Sequence, residues 1–174
     1  MTRAIEDKTL VLLRHAKAEQ ALGEPDHDRA LTARGRRDAA AAGAWLHRQG
    51  IVAELVICST AVRTRETWDQ AARGGAHTEF VEYRRAVYQG NAQAMLDSVR
   101  EDAGEADTVL LVGHAPTLPA LASMLCDGAG SREAHQALAE GYPPCGLAIL
   151  RFNGEWGELD HGDASLERFH VARG

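Results

Sequence analysis

The sequence contains few cysteines, and this narrows the classes of protein to which it can belong. Its 174 residues include three cysteines, at positions 58, 126 and 145, with no Cys-x-x-Cys spacing among them. An odd number of widely spaced cysteines favours neither a disulfide scaffold nor a zinc ribbon. Because thiols remain reduced in the cytosol, we expect a cytoplasmic protein in which Cys58 is a small core residue.

The chain also lacks a basic excess and a long apolar run. Its formal net charge is −6 at pH 7, whereas nucleic-acid-binding domains usually carry an excess of lysine and arginine. The apolar run near the start is interrupted by Arg14, which leaves it too short for a signal peptide or a membrane span. We therefore expect neither nucleic acid nor a membrane as a partner.

What the chain does contain is an alternation of short apolar runs and longer amphipathic segments. Strands are predicted at residues 9–13, 55–58, 78–81 and 108–112, and helices at residues 33–49, 61–73, 92–102 and 116–126. Strand–helix alternation of this kind predicts an α/β fold, a three-layer α/β/α sandwich with a mostly parallel central sheet. The length suits a single domain over residues 1–174, in which we expect residues 1–8 to be disordered.

Two later segments have weaker patterns. Residues 127–144 are rich in glycine, serine and proline at both ends, and we expect a loop or short helix over the sheet. The dipeptide Asn153-Gly154 separates apolar runs at residues 145–152 and 155–159, which predicts a tight β-hairpin between those runs.

Four residues that can bind phosphate follow the predicted strands. Arg14 and His15 come after the first strand, Arg63 lies in the first turn of the helix after the second, and His114 follows the strand at residues 108–112. Because ligands bind outside the carboxyl ends of the strands in such sheets, all four can reach one crevice. Arginine forms bidentate contacts with phosphate oxygens, so this set predicts a site for a phosphoryl group.

Histidine adds reactivity to that site. A neutral imidazole is a competent nucleophile at physiological pH, and attack on phosphorus forms a phosphohistidine that water then hydrolyses. The cationic side chains neutralise the phosphoryl oxygens, so we expect neither a metal nor a cofactor. The segments 26–28 and 160–163 contain acidic residues and histidine, but without a second ligand cluster we interpret them as solvated loops. Ser59 is expected to cap a helix or accept a hydrogen bond, and Tyr88 and Gln89 to line the pocket.

These residues resemble the signatures of the histidine phosphatase superfamily, in its phosphoglycerate mutase-like branch. Residues 13–18, Leu-Arg-His-Ala-Lys-Ala, are similar to the Arg-His-Gly motif that contains the nucleophile. Residues 58–67 are similar to the Ser-x-x-x-Arg-x-x-x-Thr stretch, and residues 112–116 to the Gly-His segment. Residues 28–35 match a Leu-Thr-x-x-Gly helix start and extend the resemblance toward the short phosphohistidine phosphatases of the SixA type.

The resemblance implies roles for the four residues. His15 is then the nucleophile, while Arg14, Arg63 and His114 bind the phosphoryl group. The sequence departs from the family pattern at Ala16, which replaces the usual glycine. It also departs around Glu82, because this segment is a poor match to the one that contains the general acid of larger members. A weak general acid favours a phosphoramidate substrate, because a leaving imidazole needs less protonation than an alkoxide.

The leading hypothesis is therefore a metal-independent phosphatase that removes phosphate from phosphohistidine on a phosphotransfer protein. One alternative is a phosphatase for a small phosphorylated metabolite, a phosphomonoester, with Glu82 as general acid. The other is a non-catalytic module that binds a phosphorylated protein. His15 argues against that module, because binding alone requires the arginines and not a nucleophile.

Overall fold

A seven-stranded sheet forms the middle of the molecule. The computed structural model describes residues 7–174. The strands are β1 (Asp7–Arg14), β2 (Leu55–Ser59), β3 (Phe80–Arg84), β4 (Thr108–Gly113), β5 (Cys126–Gly130), β6 (Gly146–Asn153) and β7 (Ala164–Val171). Their order in the sheet is β3-β2-β4-β1-β6-β7-β5. Strands β3, β2, β4 and β1 pair in parallel, as do β5 and β7, whereas β6 is antiparallel to both neighbours. The prediction of a mostly parallel sheet is confirmed.

Helices cover both faces of this sheet. They are α1 (Ala33–Arg48), α2 (Val62–Gly74), α3 (Arg85–Gln89), α4 (Ala92–Asp102), α5 (Thr117–Leu125) and α6 (Arg132–Glu140), with short 3₁₀ helices at Asp26–Asp28 and Trp156–Glu158. Successive residues of a strand point to opposite faces. Accordingly, Val11 and Leu13 pack with residues of α1 and α2, whereas Leu10 and Leu12 pack with residues of α3 to α6. The predicted three-layer sandwich is confirmed. Within residues 7–174, no helix has the length and apolarity needed to cross a membrane.

The first strand begins earlier than predicted. We expected residues 1–8 to be disordered, and residues 1–6 lie outside the described residues. Asp7 and Lys8, however, belong to β1, where they pair with Asn153 and Phe152 of β6. The Lys8 ammonium also lies 3.1 Å from a carboxylate oxygen of Asp107. The disorder prediction is wrong for these two residues, because a distant strand provides pairing that the local sequence does not reveal.

The predicted hairpin around Asn153-Gly154 is also wrong. Strand β6 ends at Asn153, but its antiparallel partner is β7, and the predicted second strand is replaced by the short 3₁₀ helix Trp156–Glu158. The buried Trp156 explains the difference. Its indole N–H donates to the carbonyl of Ala106 at 2.6 Å, and its ring packs at an angle against Phe152. This anchoring draws the chain away from β6 before it returns as β7.

Residues 127–144 contain more regular structure than expected. Strand β5 pairs with β7, and α6 follows it directly. The side-chain oxygen of Ser131 accepts a hydrogen bond from the backbone N–H of Ala134 and so caps the amino end of α6. The expectation of a short helix is correct, whereas β5 went unpredicted because a glycine-rich segment has a low intrinsic preference for strands. The strand predicted at residues 78–81 instead occupies Phe80–Arg84.

Candidate active site

The register of β1 on β4 brings the two histidines together. Arg14 pairs with Gly113 across the two parallel strands, so the next residues, His15 and His114, leave the sheet side by side. The backbone N–H of His15 donates to the carbonyl of Gly113 at 3.0 Å. The two imidazole ring centroids are 5.3 Å apart. Both rings therefore lie at the carboxyl ends of the strands, where parallel sheets bind ligands.

The buried ring of His15 is held in one tautomer. Its Nδ1 lies 2.7 Å from the carbonyl oxygen of Ala16, which can only accept. Nδ1 therefore carries the proton, and Nε2 carries the free lone pair. Burial, reinforced by the positive charges of Arg63 and Arg14, lowers the pKa of His15 to about 4, although the hydrogen bond to Ala16 opposes this. At neutral pH the ring is uncharged, which is the nucleophilic form.

Helix α2 fixes the loop that carries His15. The backbone N–H of Ala16 donates to the hydroxyl oxygen of Thr67 at 3.0 Å, and that hydroxyl donates to the carbonyl of Arg63 at 2.7 Å. Among the described residues, Cys145 is the one non-glycine residue with a positive φ. Ala16 therefore adopts an ordinary backbone conformation, and alanine in place of the usual glycine causes no strain there.

The two arginines approach the histidines from different elements. Arg14, at the end of β1, donates from Nη1 to the carbonyl of Tyr142 at 2.7 Å. Arg63, in the first turn of α2 and 5% exposed, donates from Nη1 to the carbonyl of Asp26 at 2.9 Å and from Nη2 to its carboxylate at 3.2 Å. Burial lowers the pKa of Arg14 from its ordinary value. Each guanidinium is thus held by its terminal nitrogens, while its Nε makes no such bond.

His114 is fixed through Ser59, at the end of β2. The His114 Nε2 lies 2.7 Å from the serine hydroxyl oxygen, and that oxygen accepts a hydrogen bond from the backbone N–H of Ala61. The prediction that Ser59 is a hydrogen-bond partner is confirmed. Burial, followed by the charge of Arg63 and the neighbouring His15, lowers the pKa of His114 to about 3. His114 is therefore also neutral at physiological pH.

Three buried nitrogens in this site have no hydrogen-bond partner. Within residues 7–174, the buried side-chain nitrogen and oxygen atoms lacking a partner are Arg14 Nε, Arg63 Nε and His114 Nδ1. A buried polar group without a partner costs about 1–3 kcal/mol, so such groups call for a specific explanation. All three belong to residues predicted from the sequence to bind phosphate. Their clustering is the arrangement expected where an anionic ligand accepts several N–H groups at once.

An open cleft of about 610 Å³ leads to these groups. Its walls are formed by Asp26, Arg63, Tyr88, Gln89, Gly90, His114, Ala115, Pro116 and Thr117. The expectation that Tyr88 and Gln89 line the pocket is confirmed. The ring of Tyr88 meets that of His114 at 64°, with centroids 5.7 Å apart. The cleft thus places the aromatic ring of Tyr88 beside Arg63 and His114.

Asp26 is the residue of this site that sequence reasoning missed. We interpreted the segment 26–28 as a solvated loop, yet the Asp26 carboxylate accepts from the guanidinium groups of Arg63 and Arg29 and from the Tyr88 hydroxyl, the last at 2.9 Å. Burial tends to raise the pKa of Asp26, but the Tyr88 hydrogen bond and the two arginines lower it below its ordinary value. In the described part of the chain, no group of three or more His, Cys, Asp or Glu side chains is arranged to hold a metal ion.

Glu82 does not lie at this site. It stands in the middle of β3, paired with Ile57, and lines a separate cavity of about 740 Å³ with residues that precede β2 and β4, such as Ala53 and Ala106. Those residues lie toward the amino ends of the parallel strands, whereas the histidines lie at the carboxyl ends. The structure therefore does not bring Glu82 to His15, and the sequence-based suggestion of Glu82 as general acid is wrong.

Comparison with known proteins identifies the class that this fold and site define. Residues 10–85 match the model of the histidine phosphatase superfamily (branch 1). The chain belongs to this superfamily. It is similar to the SixA protein of Nakamurella multipartitia, with 36% identity, a TM-score of 0.82, and coverage of 96% of this chain and 97% of that one.

Two further relatives extend the similarity along the chain. The SixA protein of Agrobacterium tumefaciens is 30% identical with a TM-score of 0.75, and the match covers 94% of this chain and 97% of that one. The uncharacterized protein Rv1276c of Mycobacterium tuberculosis is 36% identical over 165 residues, which are 92% of this chain and 100% of that protein.

Proposed function

We propose that this protein is a phosphatase that removes phosphoryl groups from phosphohistidine on a phosphotransfer protein, through a phosphohistidine intermediate at His15. The observation that carries this proposal is the set of three buried side-chain nitrogens without a hydrogen-bond partner, which belong to Arg14, Arg63 and His114. A phosphoryl group in transfer spreads its charge over three equatorial oxygens, each of which can accept such a hydrogen bond. The similar proteins from Nakamurella and Agrobacterium bear the name phosphohistidine phosphatase SixA, which agrees with this substrate.

The first step transfers the phosphoryl group between two imidazoles. The lone pair on His15 Nε2 forms a bond to phosphorus while the bond from phosphorus to the substrate nitrogen breaks. The substrate ring, protonated on its other nitrogen, leaves as a neutral imidazole. The His15 ring, now phosphorylated on Nε2, takes the positive charge, and its Nδ1–H continues to donate to Ala16.

The second step returns the enzyme to its starting state. A water oxygen attacks phosphorus, the bond to Nε2 breaks, and a water proton passes to phosphate. Arg14 and Arg63 offset the negative charge throughout, which is electrostatic stabilisation by preorganised donors. When His114 Nε2 accepts from the Ser59 hydroxyl, its proton sits on Nδ1, the atom without a partner. His114 then acts as a neutral donor to a phosphoryl oxygen.

The choice of phosphohistidine over a phosphomonoester depends on the leaving group. An alkoxide must be protonated as it leaves, whereas an imidazole with a pKa of about 6.5 can carry its own proton. Among the residues of 7–174 that line the cleft, no carboxylic acid is suited to that protonation, and Glu82 lines another cavity. Asp26 is present, but its lowered pKa keeps it ionised at neutral pH.

The test is phosphate release from a histidine-containing phosphotransfer protein that has been phosphorylated with phosphoramidate. The assay contains EDTA and compares wild type with His15→Ala, and with His161→Ala as a matched control, because His161 is an exposed histidine outside the cleft. We expect release by wild type and His161→Ala alone, and base-stable label trapped on wild type after rapid quenching. If His15→Ala releases phosphate as fast as wild type, His15 is not the nucleophile.

The same assay separates the two alternatives. Faster turnover of a panel of small phosphomonoesters than of the phosphorylated protein would indicate a metabolite phosphatase. Stable binding of the phosphorylated protein without release of phosphate would indicate a binding module. Either result would contradict the proposed function.

A further inference from the structure

The position of the open cleft relative to His15 bears on where the leaving group of the substrate binds. In phosphoryl transfer the attacking and leaving atoms stand roughly in line on opposite sides of phosphorus. His15 attacks from the buried end of the site, where it is 9% exposed. The open space beside Arg63 and His114 is the cleft that Asp26, Tyr88 and Gln89 also line, and this is the space available to the substrate group that departs.

Asp26 is the one carboxylate among the described residues that line this cleft. Its backbone lies on the 3₁₀ turn Asp26–Asp28, and its side chain is 53% exposed. It already accepts hydrogen bonds from Arg63, Arg29 and Tyr88, which hold it in place. A carboxylate has about four acceptor positions on its two oxygens, so one remains for a ligand.

We propose that Asp26 determines specificity by accepting a hydrogen bond from the far ring N–H of the phosphohistidine that enters the cleft. This rests on the proposed function. The contact favours the protonated, cationic ring, which is the form from which imidazole leaves without a separate acid. No proton moves to or from Asp26: the bond from phosphorus to nitrogen breaks, the electron pair stays on the departing nitrogen, and the far N–H remains on the ring.

The same carboxylate disfavours other phosphorylated molecules. A phosphomonoester carries no N–H opposite its phosphoryl group, so it gains nothing from Asp26. A leaving group with its own negative charge is repelled. Asp26 thus favours a substrate whose leaving group is cationic and repels one whose leaving group is anionic.

The experiment compares Asp26→Asn with Asp28→Asn, a matched loss of a carboxylate on the same turn but outside the cleft. Asparagine keeps one oxygen, which can accept from Arg63 and Tyr88 as Oδ2 does, while its amide group replaces the Oδ1 that accepts from Arg29 and the charge is removed. Each variant is assayed on phosphohistidine prepared with phosphoramidate and on p-nitrophenyl phosphate, whose leaving group needs no protonation. Competitive inhibition by inorganic phosphate reports separately on the phosphoryl-binding groups.

We expect Asp26→Asn to lose about 10- to 100-fold in kcat/KM on phosphohistidine, the range of a charge-assisted hydrogen bond. Its kcat/KM on p-nitrophenyl phosphate should fall by less than that on phosphohistidine, phosphate inhibition should not weaken, and Asp28→Asn should match wild type. A role limited to holding Arg63 would instead weaken phosphate inhibition and lower both activities together. That result, or an unchanged activity on phosphohistidine, overturns the role of Asp26.

The pH profile gives a second readout. The charged and titratable groups facing Asp26 are Arg63 from α2, Arg29 after the turn, and Tyr88 from α3, with His27 on the turn itself. The loss of kcat in Asp26→Asn should grow as pH rises above 6.5, because without the carboxylate the bound substrate ring loses its proton near that pH, whereas Asp26 keeps it protonated. A loss of kcat that is independent of pH contradicts the proposal. If wild type releases phosphate from p-nitrophenyl phosphate and not from phosphohistidine, the proposed function itself fails.

Discussion

Acidification should leave His15 neutral well below the pH at which an ordinary histidine is protonated. In the free enzyme the pKa of His15 is about 4, because the ring is buried and faces two guanidinium groups. A solvated histidine has a pKa of about 6.5, so only about one-tenth of it is neutral at pH 5.5. His15, with a pKa of about 4, is still about 97% neutral at that pH. We expect the nucleophilic form to persist across the whole physiological range.

The titration is measured directly by NMR. The ring proton on the carbon between the two nitrogens of His15 is assigned with a His15→Asn variant and followed from pH 3.5 to 8 in the absence of phosphate. We expect the His15 signal to shift only below about pH 5. A midpoint near pH 6.5 would refute the argument that burial and the arginines control the protonation of the ring.

The same shift has a thermodynamic counterpart. Because the pKa is lower in the folded state, the unfolded state binds more protons between about pH 4 and 6.5, and stability rises with pH across that window. From pKa values of about 6.5 unfolded and 4 folded, His15 makes the free energy of unfolding about 2 kcal/mol lower at pH 5 than at pH 8. Urea denaturation should show this fall reduced in His15→Asn. An equal fall in both proteins would contradict the assignment.

Three further predictions concern the framework around the site. Thr67→Val should leave the buried N–H of Ala16 without an acceptor, costing about 1–3 kcal/mol of stability and lowering kcat more than KM, as urea melts and kinetics can measure. Gly35→Ala should lower stability, because the added Cβ would stand 2.1 Å from a backbone oxygen, and this clash should cost more than the ~1 kcal/mol by which alanine is preferred to glycine in a helix. Gly157→Ala is the control: open space surrounds that position, so the melting temperature should be nearly unchanged. Trp156→Ala should cost about 3–5 kcal/mol in chemical denaturation without altering phosphate inhibition, and a loss below 1 kcal/mol would contradict its role as an anchor.

The central part of the site could be predicted because its residues follow strands with strong patterns. The apolar runs before Arg14 and before His114 are buried on both faces of the sheet and read clearly in the sequence. Parallel pairing then places their carboxyl ends together. The neighbouring positions of Arg14 and Gly113 in the register are a consequence of that pairing.

The remainder depends on contacts between distant parts of the chain. Asp26 reaches the site only because Arg63 and Tyr88, 37 and 62 residues away, bind its carboxylate. The local sequence around Asp26 resembles any polar turn. Likewise, Asn153-Gly154 carries a strong local hairpin signal, but burial of Trp156 outweighs it. Both errors arise where tertiary packing overrides local preference.

The position of β1 has a consequence for synthesis on the ribosome. This strand is made before both of its partners, because β4 lies about 100 residues later in the chain and β6 about 140 residues later. Closing such long loops slows folding. Until residue 146 emerges, the apolar segment Leu10–Leu13 has at least one unpaired edge in the nascent chain. Exposed apolar residues with an unpaired strand edge are prone to aggregate, so this segment benefits from protection by a chaperone during translation.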